Sequence, residues 1–216
     1  MFWGASNSHG SDRMKIGIIG GTFDPIHIGH LLLGQEALEK LQLDKVLFIP
    51  AGIPWMKANQ KLSDKHHRLN MTRVATKNNA SFTVSDVEVK REGNSYSSET
   101  IEQLSKEHDN TTQLFFIMGS EVLKNFPQWV NPVVILRRCK LTIVTRPGQQ
   151  QPSLTAIQQA FPDEPLETVQ LPVAQIGISS SELRARVRKG LPIAHWVPSG
   201  VEQYIQNNGL YTTEET

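Results

Sequence analysis

The sequence predicts a doubly wound α/β fold, Rossmann-like, with a mostly parallel sheet and a small helical C-terminal portion. Three observations predict it. Apolar runs of strand length alternate with helix-like segments along the chain. Four of those runs are nearly continuous in Ile, Leu, Val and Phe, as strands covered on both faces are. The first run ends in a glycine pair followed by a helical pattern, the junction at which such sheets bind ligands.

The elements follow in order. Strands are expected at residues 15–20, 45–50, 82–89, 113–119, 141–146 and 169–171. Helices are expected at 31–41, 64–77, 98–108, 154–161 and 180–189, and a last one at 199–207 stops near Gly209. The third strand alternates apolar and polar or charged residues (Val84, Asp86, Val87, Glu88, Val89, Lys90) and is expected at an edge or half exposed. The 216 residues suffice for one well-cored domain, expected over 14–216, with the C-terminal helical portion starting near Ile178. Residues 1–13 lack an apolar signal core and read as a disordered extension or an expression remnant.

Composition narrows the function. Lys and Arg total 22 against 21 for Asp and Glu, so the charge balance gives no reason to expect nucleic acid or a membrane as partner. No run approaches the roughly 20 apolar residues that span a bilayer. The single cysteine, Cys139, excludes an internal disulfide and a zinc cluster built on Cys pairs. A cytoplasmic setting is the simplest expectation. Cys139 lies among Arg137, Arg138 and Lys140, cations that could favour a thiolate; the plainer reading is a spare thiol at a strand start.

The chemistry concentrates in Gly20-Gly21-Thr22-Phe23-Asp24-Pro25-Ile26-His27-Ile28-Gly29-His30. Gly20 and Gly21 are expected to let the chain turn sharply and bring backbone N–H groups to an anion. The following helix presents its positive end there. His27 and His30, three apart, share a face, and Gly29 between them leaves room for a ligand. A dinucleotide GxGxxG fingerprint and a GxxxxGK[ST] P-loop are both absent. Zinc on the two histidines lacks a third ligand: Asp24 precedes Pro25 and reads as a turn residue. A second signal is Ile178-Ser179-Ser180-Ser181-Glu182-Leu183-Arg184. Ser179 and Glu182 have capping-box spacing, and Ser180 and Arg184 share a face. Hydroxyl, free N–H groups and guanidinium together suit a phosphate.

These two motifs resemble the HxGH and ISSxxxR signatures of the nucleotidyltransferase superfamily, and the chain looks most like the bacterial nicotinate-nucleotide adenylyltransferases. Supporting stretches are Ser95-Tyr96-Ser97-Ser98-Glu99-Thr100, then Phe116-Ile117-Met118-Gly119-Ser120-Glu121 followed by Trp129, and the ending 201–211. The resemblance implies adenylyl transfer from ATP to nicotinate mononucleotide, giving nicotinate adenine dinucleotide and pyrophosphate. It implies that His27 and His30 contact ATP phosphates and that Gly20, Gly21, Thr22 and Phe23 shape the pocket. Ser179, Ser180 and Arg184 would hold the departing pyrophosphate, and Lys57 would bind phosphate, although Met56 stands where the family has histidine. Gly119 and Glu121 fall on the ATP side, with Glu121 in place of the usual aspartate. Trp129 would stack on the nicotinate ring beside Ser97, with Asp86, Tyr96 and Thr100 lining or supporting the mononucleotide. Magnesium would ride on the ATP phosphates, with no protein-held metal. The resemblance leaves homo-oligomerisation open. The rivals are adenylyltransferases for nicotinamide mononucleotide or phosphopantetheine, a cytidylyltransferase, and a non-catalytic nucleotide-binding regulator.

Overall fold

The computed structural model describes residues 13–57, 60–109, 111–145, 148, 152–174 and 177–212. The extension expected at 1–13 lies, apart from Arg13, outside them.

The chain begins with β1 (Lys15–Gly21), α1 (Ile28–Leu41) and β2 (Lys45–Pro50). Next come β3 (Ile53–Pro54), α2 (Lys65–Thr76) and β4 (Phe82–Val84). A single turn α3 (Val87–Lys90) and β5 (Asn94–Ser95) lead to α4 (Ser97–Glu107) and β6 (Gln113–Gly119). Then follow α5 (Val133–Arg138), β7 (Cys139–Thr145), α6 (Thr155–Ala160), β8 (Thr168–Pro172), α7 (Ser180–Arg188) and α8 (Ser199–Asn207).

Six strands form one sheet in the order β4-β2-β1-β6-β7-β8, every neighbouring pair parallel. The chain winds from β1 to β2 and β4 on one side, then returns to lay β6, β7 and β8 on the other. The direction of winding therefore reverses between β1 and β6, and the crevice past their carboxyl ends is where such sheets take ligands. Gly20 and Gly21 sit at one lip of it, paired with Ile49 and Pro50; Gly119 sits at the other, paired with Val144.

Both faces of the sheet are buried, which is why its central strands carry no polar alternation. Along β6, Leu114, Phe116 and Met118 enter one core, with Ile101 and Leu104 of α4, Ile135 and Leu136 of α5 and Ile157 of α6. Phe115 and Ile117 enter the other, with Ala37 of α1, Met71 of α2, Leu183 of α7 and Val201 and Ile205 of α8. No helix among the described residues is long and apolar enough to cross a membrane.

One expected strand needs correction. The run at 82–89 is a strand only to Val84, at the sheet edge as expected. Ser85 Oγ then accepts the Val87 N–H, turning the chain into α3, whose Asp86 and Lys90 pair at 3.0 Å one helical turn apart. The alternation of valines with charges suggested period two, but Val87, Glu88 and Val89 are all buried. The helix α5 and the short pair β3–β5 were not expected; Val133, Val134 and Ile135 carry the β-branching of a strand.

Candidate active site

The sharp turn expected at Gly20-Gly21 comes one step later. Both glycines continue β1, and the chain reverses over Thr22–Pro25, where Phe23 adopts φ +50° and the Asp24–Pro25 peptide is cis. Gly21 serves closeness rather than backbone freedom. A Cβ on Gly21 would lie 2.7 Å from the Phe23 ring, while one on Gly20 would point into open space over the crevice. The turn is tied down by Arg68 of α2, 2% exposed. Its NH1 donates to Thr22 O (2.8 Å) and Ala51 O (2.5 Å), its NH2 to Gly52 O (2.7 Å) and its Nε to Ser63 O (3.0 Å). One guanidinium thereby satisfies carbonyls from three loops that have no ladder partner of their own.

The two histidines open α1. His27 is its N-cap residue, and the His27 N–H donates to His30 Nδ1 at 3.2 Å. With Nδ1 an acceptor, the neutral His30 ring carries its proton on Nε2. The rings stack at 3.7 Å, and Phe23 meets His30 edge-on at 5.0 Å. Gly29 makes room for this stack: a Cβ there would lie 3.0 Å from His27 Nδ1. Burial pushes His27 down to about 4; burial, then the charges of His27 and Lys57, push His30 down to about 3. Both imidazoles are therefore neutral at pH 7. His27 Nδ1 is buried with no hydrogen-bond partner.

Helix α7 arrives from the far end of the chain to the same turn. Ser179 caps it by accepting the Glu182 N–H at 3.2 Å. Ser180 Oγ donates to Pro25 O (2.9 Å), and Arg184 NH1 donates to Asp24 O (2.7 Å) while its NH2 reaches Ser181 Oγ (3.3 Å). Asp24 is more than a turn residue. Its carboxylate, 1% exposed, accepts from Ser63 N (3.1 Å) and from Tyr211 OH (2.6 Å). Lys57, at the end of the 53–57 loop, is pulled down by burial and then by the Arg184 charge, against the raising effect of Asp24.

Two adjoining cavities lie over this arrangement. The first, about 320 Å³, is walled by Phe23, His27, Ser179, Ser180, Ser181 and Arg184. The second, about 450 Å³, is more apolar and is walled by Gly20, Gly21, Trp55, Ser97, Gly119, Glu121 and Trp129. Thr22, His30 and Lys57 line both and so mark where the two meet. Trp129 stands against Phe116 and Phe126, and its indole Nε1 is buried without a partner. Three residues expected on the mononucleotide side are not on the cavity wall. Thr100 Oγ1 donates to the buried Glu88 carboxylate at 2.8 Å, Tyr96 is the N-cap of α4, and Asp86 pairs at the surface with Arg73 and Lys90. Glu88 itself lines the second cavity, and burial raises its pKa.

Arg68, Glu88 and Tyr211 escaped the sequence reading. The signal for Arg68 was its place on the stripe Arg68, Met71, Thr72 and Thr76, which keeps helical spacing and is buried throughout. The activated reading of Cys139 fails: the residue is buried, and burial pushes its thiol up to about 12. Nearby Arg137 is engaged with Glu164 instead.

Comparison with known proteins places the chain in a family. The sequence model of the family described as cytidylyltransferase-like matches residues 18–186. A protein of Dehalococcoides mccartyi named "Probable nicotinate-nucleotide adenylyltransferase" is 38% identical over 198 residues, covering 92% of this chain and 97% of its own. One of Roseiflexus with the same name is 40% identical over 197 residues, covering 91% and 97%. The solved structure of Plasmodium falciparum nicotinic acid mononucleotide adenylyltransferase complexed with NaAD matches with a TM-score of 0.72 at 20% identity, over 92% of this chain and 97% of that one, which is a likeness of fold. This chain belongs to the cytidylyltransferase-like family and, within it, to the nicotinate-nucleotide adenylyltransferases.

Proposed function

We propose that this protein transfers the adenylyl group of ATP to nicotinate mononucleotide, releasing pyrophosphate and forming nicotinate adenine dinucleotide, a step of NAD biosynthesis. The observation that carries the proposal is the meeting of a polar, cation-walled cavity with a larger, more apolar one at His30, Lys57 and Thr22. In this reading the triphosphate occupies the first, with its α-phosphorus at the junction, and the nucleoside parts of both substrates lie toward the second.

The chemistry follows from the protonation states. A mononucleotide phosphate oxygen attacks the α-phosphorus; a P–O bond forms there, and the bond to the β-phosphate oxygen breaks. The attacking group is already an anion, so no general base is required, and catalysis is positioning plus charge stabilisation. His30, neutral with its proton on Nε2, donates into the junction. Lys57 and Arg184 flank the charge that builds on the leaving pyrophosphate. Ser180 commits its hydroxyl to Pro25 O, so its part is to pin the α7 N-terminus, with Ser179, against the turn. Ser97 and Trp129 serve the pyridine ring, Gly119 and Glu121 the ATP side, and Gly20, Gly21 and Phe23 the shape of the floor. Tyr96 and Thr100 support the mononucleotide side from behind.

Magnesium fits this site as a companion of the phosphates. Among the described residues no group of three or more His, Cys, Asp and Glu is placed to hold a metal, and Asp24 already accepts on both oxygens. When bound, the ion neutralises phosphate charge. The proposed setting is the cytoplasm.

The test is pyrophosphate release from ATP and Mg²⁺ with nicotinate mononucleotide, compared with its amide. The expected result is faster turnover of the acid form, and equal rates reject the substrate assignment. His30→Ala is expected to lower kcat roughly 10²–10³-fold, the cost of one transition-state donor, with the fold intact.

A further inference from the structure

Tyr211 lies at the C-terminal end of the described chain, beyond α8, and lines neither cavity of the site. Its backbone adopts φ +64°, a left-handed conformation uncommon for a tyrosine, and its ring packs against the core around Met71. The conformation delivers the hydroxyl to Asp24 Oδ1 at 2.6 Å. Burial and the neighbouring Asp24 charge raise the phenol pKa, so the hydroxyl stays a donor throughout the working pH range.

The carboxylate it holds is closely balanced. Asp24 is 1% exposed, so both oxygens depend on protein donors. Ser63 N–H supplies one and Tyr211 the other. The Arg184 guanidinium makes only a long ion pair with the carboxylate, 4.0 Å from Oδ2, while its hydrogen bonds go to Asp24 O and Ser181 Oγ. That arrangement leaves Arg184 on the wall of the polar cavity. A buried carboxylate that lost a donor would take the nearest mobile cation, because an unpaired charge is costly in that setting. The nearest is Arg184; Arg68 is already committed to four carbonyls.

We propose that Tyr211 is a positioning residue for the polyphosphate subsite: its hydroxyl satisfies Asp24 and thereby keeps the Arg184 guanidinium on Asp24 O and Ser181 Oγ, at the cavity wall, rather than drawn onto the carboxylate. The proposal rests on the assignment of that cavity to phosphate. It makes the segment after α8 part of the ATP side of the site and leaves the mononucleotide side untouched.

The test uses Tyr211→Phe, which keeps the ring and removes the hydroxyl, and inorganic pyrophosphate as the probe in calorimetric titration. The expected result is a five- to twentyfold weaker pyrophosphate Kd and a similar rise in the KM for ATP, with the mononucleotide KM within twofold of the parent. Asp24→Asn in the Tyr211→Phe background removes the charge that draws Arg184 away and is expected to restore pyrophosphate affinity to within about threefold. Unchanged pyrophosphate binding in Tyr211→Phe overturns the proposal, as does an equal loss for both substrates. So does a double variant no better than the single one, or failure of both variants to fold, since the hydroxyl is then merely structural. If the parent protein binds pyrophosphate but does not use nicotinate mononucleotide, the substrate assignment fails while the role of Tyr211 stands.

Discussion

Lowering the pH from 7 to 5 should destabilise this protein through its two stacked histidines. Each imidazole has an ordinary pKa of 6.5; in the folded chain His27 lies at about 4 and His30 at about 3. Between pH 6.5 and those values the unfolded chain binds protons that the folded chain refuses, so stability falls as the pH falls. Above pH 6.5 both states carry neutral rings, and the contribution is fully present. At pH 5 each unfolded imidazole has gained about 2 kcal/mol by protonation, so the pair removes about 4 kcal/mol between pH 7 and 5. The assay is urea unfolding of the ligand-free protein at the two pH values, followed by tryptophan fluorescence. The comparison is the double variant His27→Asn/His30→Asn, in which the side-chain amide introduced at position 30 keeps an acceptor for the residue 27 N–H. Other titrating groups are common to both proteins, so the difference isolates the pair. The double variant should lose less stability on acidification by about 4 kcal/mol. Equal losses in the two proteins, within about 1 kcal/mol, would show that the rings are protonated in the folded state and refute the neutral-donor argument.

Three further expectations follow from the same geometry. Arg68→Met leaves the carbonyls of Thr22, Ala51, Gly52 and Ser63 without their donor and should cost about 3–5 kcal/mol in urea unfolding; a loss under 1 kcal/mol would mean water replaces it freely. Gly29→Ala places a methyl 3.0 Å from His27 Nδ1 at the start of α1. It should lower kcat at least tenfold while thermal stability holds or rises, and undiminished turnover would show that the histidine stack tolerates displacement. Cys139, with its thiol pushed up to about 12, should react with an aromatic disulfide reagent at pH 8 only in denaturant; prompt labelling of the native protein would contradict its burial.

The architecture was legible because it rests on patterns local in sequence. The strands β1, β2 and β6 and the helix α8 announce themselves by runs and periodicity that fall within one or two residues of their observed limits. The site was legible where a motif concentrates special residues, as at Gly20 to His30 and Ser179 to Arg184. What stayed hidden depends on contacts between distant segments. Arg68 reads as one more polar residue in Lys65-His66-His67-Arg68, and only the convergence of three loops makes it a buried hub. The glycines illustrate a subtler limit. Their positions were evident, but Gly21 and Gly29 make way for the rings of Phe23 and His27, a fact set by side-chain packing rather than by backbone freedom. Likewise the 82–89 run obeys strand alternation, yet the chain leaves the sheet edge after Val84, and Glu88 turns inward to meet Thr100.

The two-residue ribbon of β3 and β5 ties together loops about forty residues apart. Ile53 pairs with Asn94 and Pro54 with Ser95, and the Gly52 N–H donates to Ser95 Oγ at 2.9 Å. A Cβ on Gly52 would sit 2.1 Å from Glu88 O, so the backbones touch with nothing between them. The segment carrying Trp55 and Lys57 and the segment leading to Ser97 are thus joined as one wall of the second cavity. A substitution that loosens the ribbon therefore disturbs both stretches of that wall together.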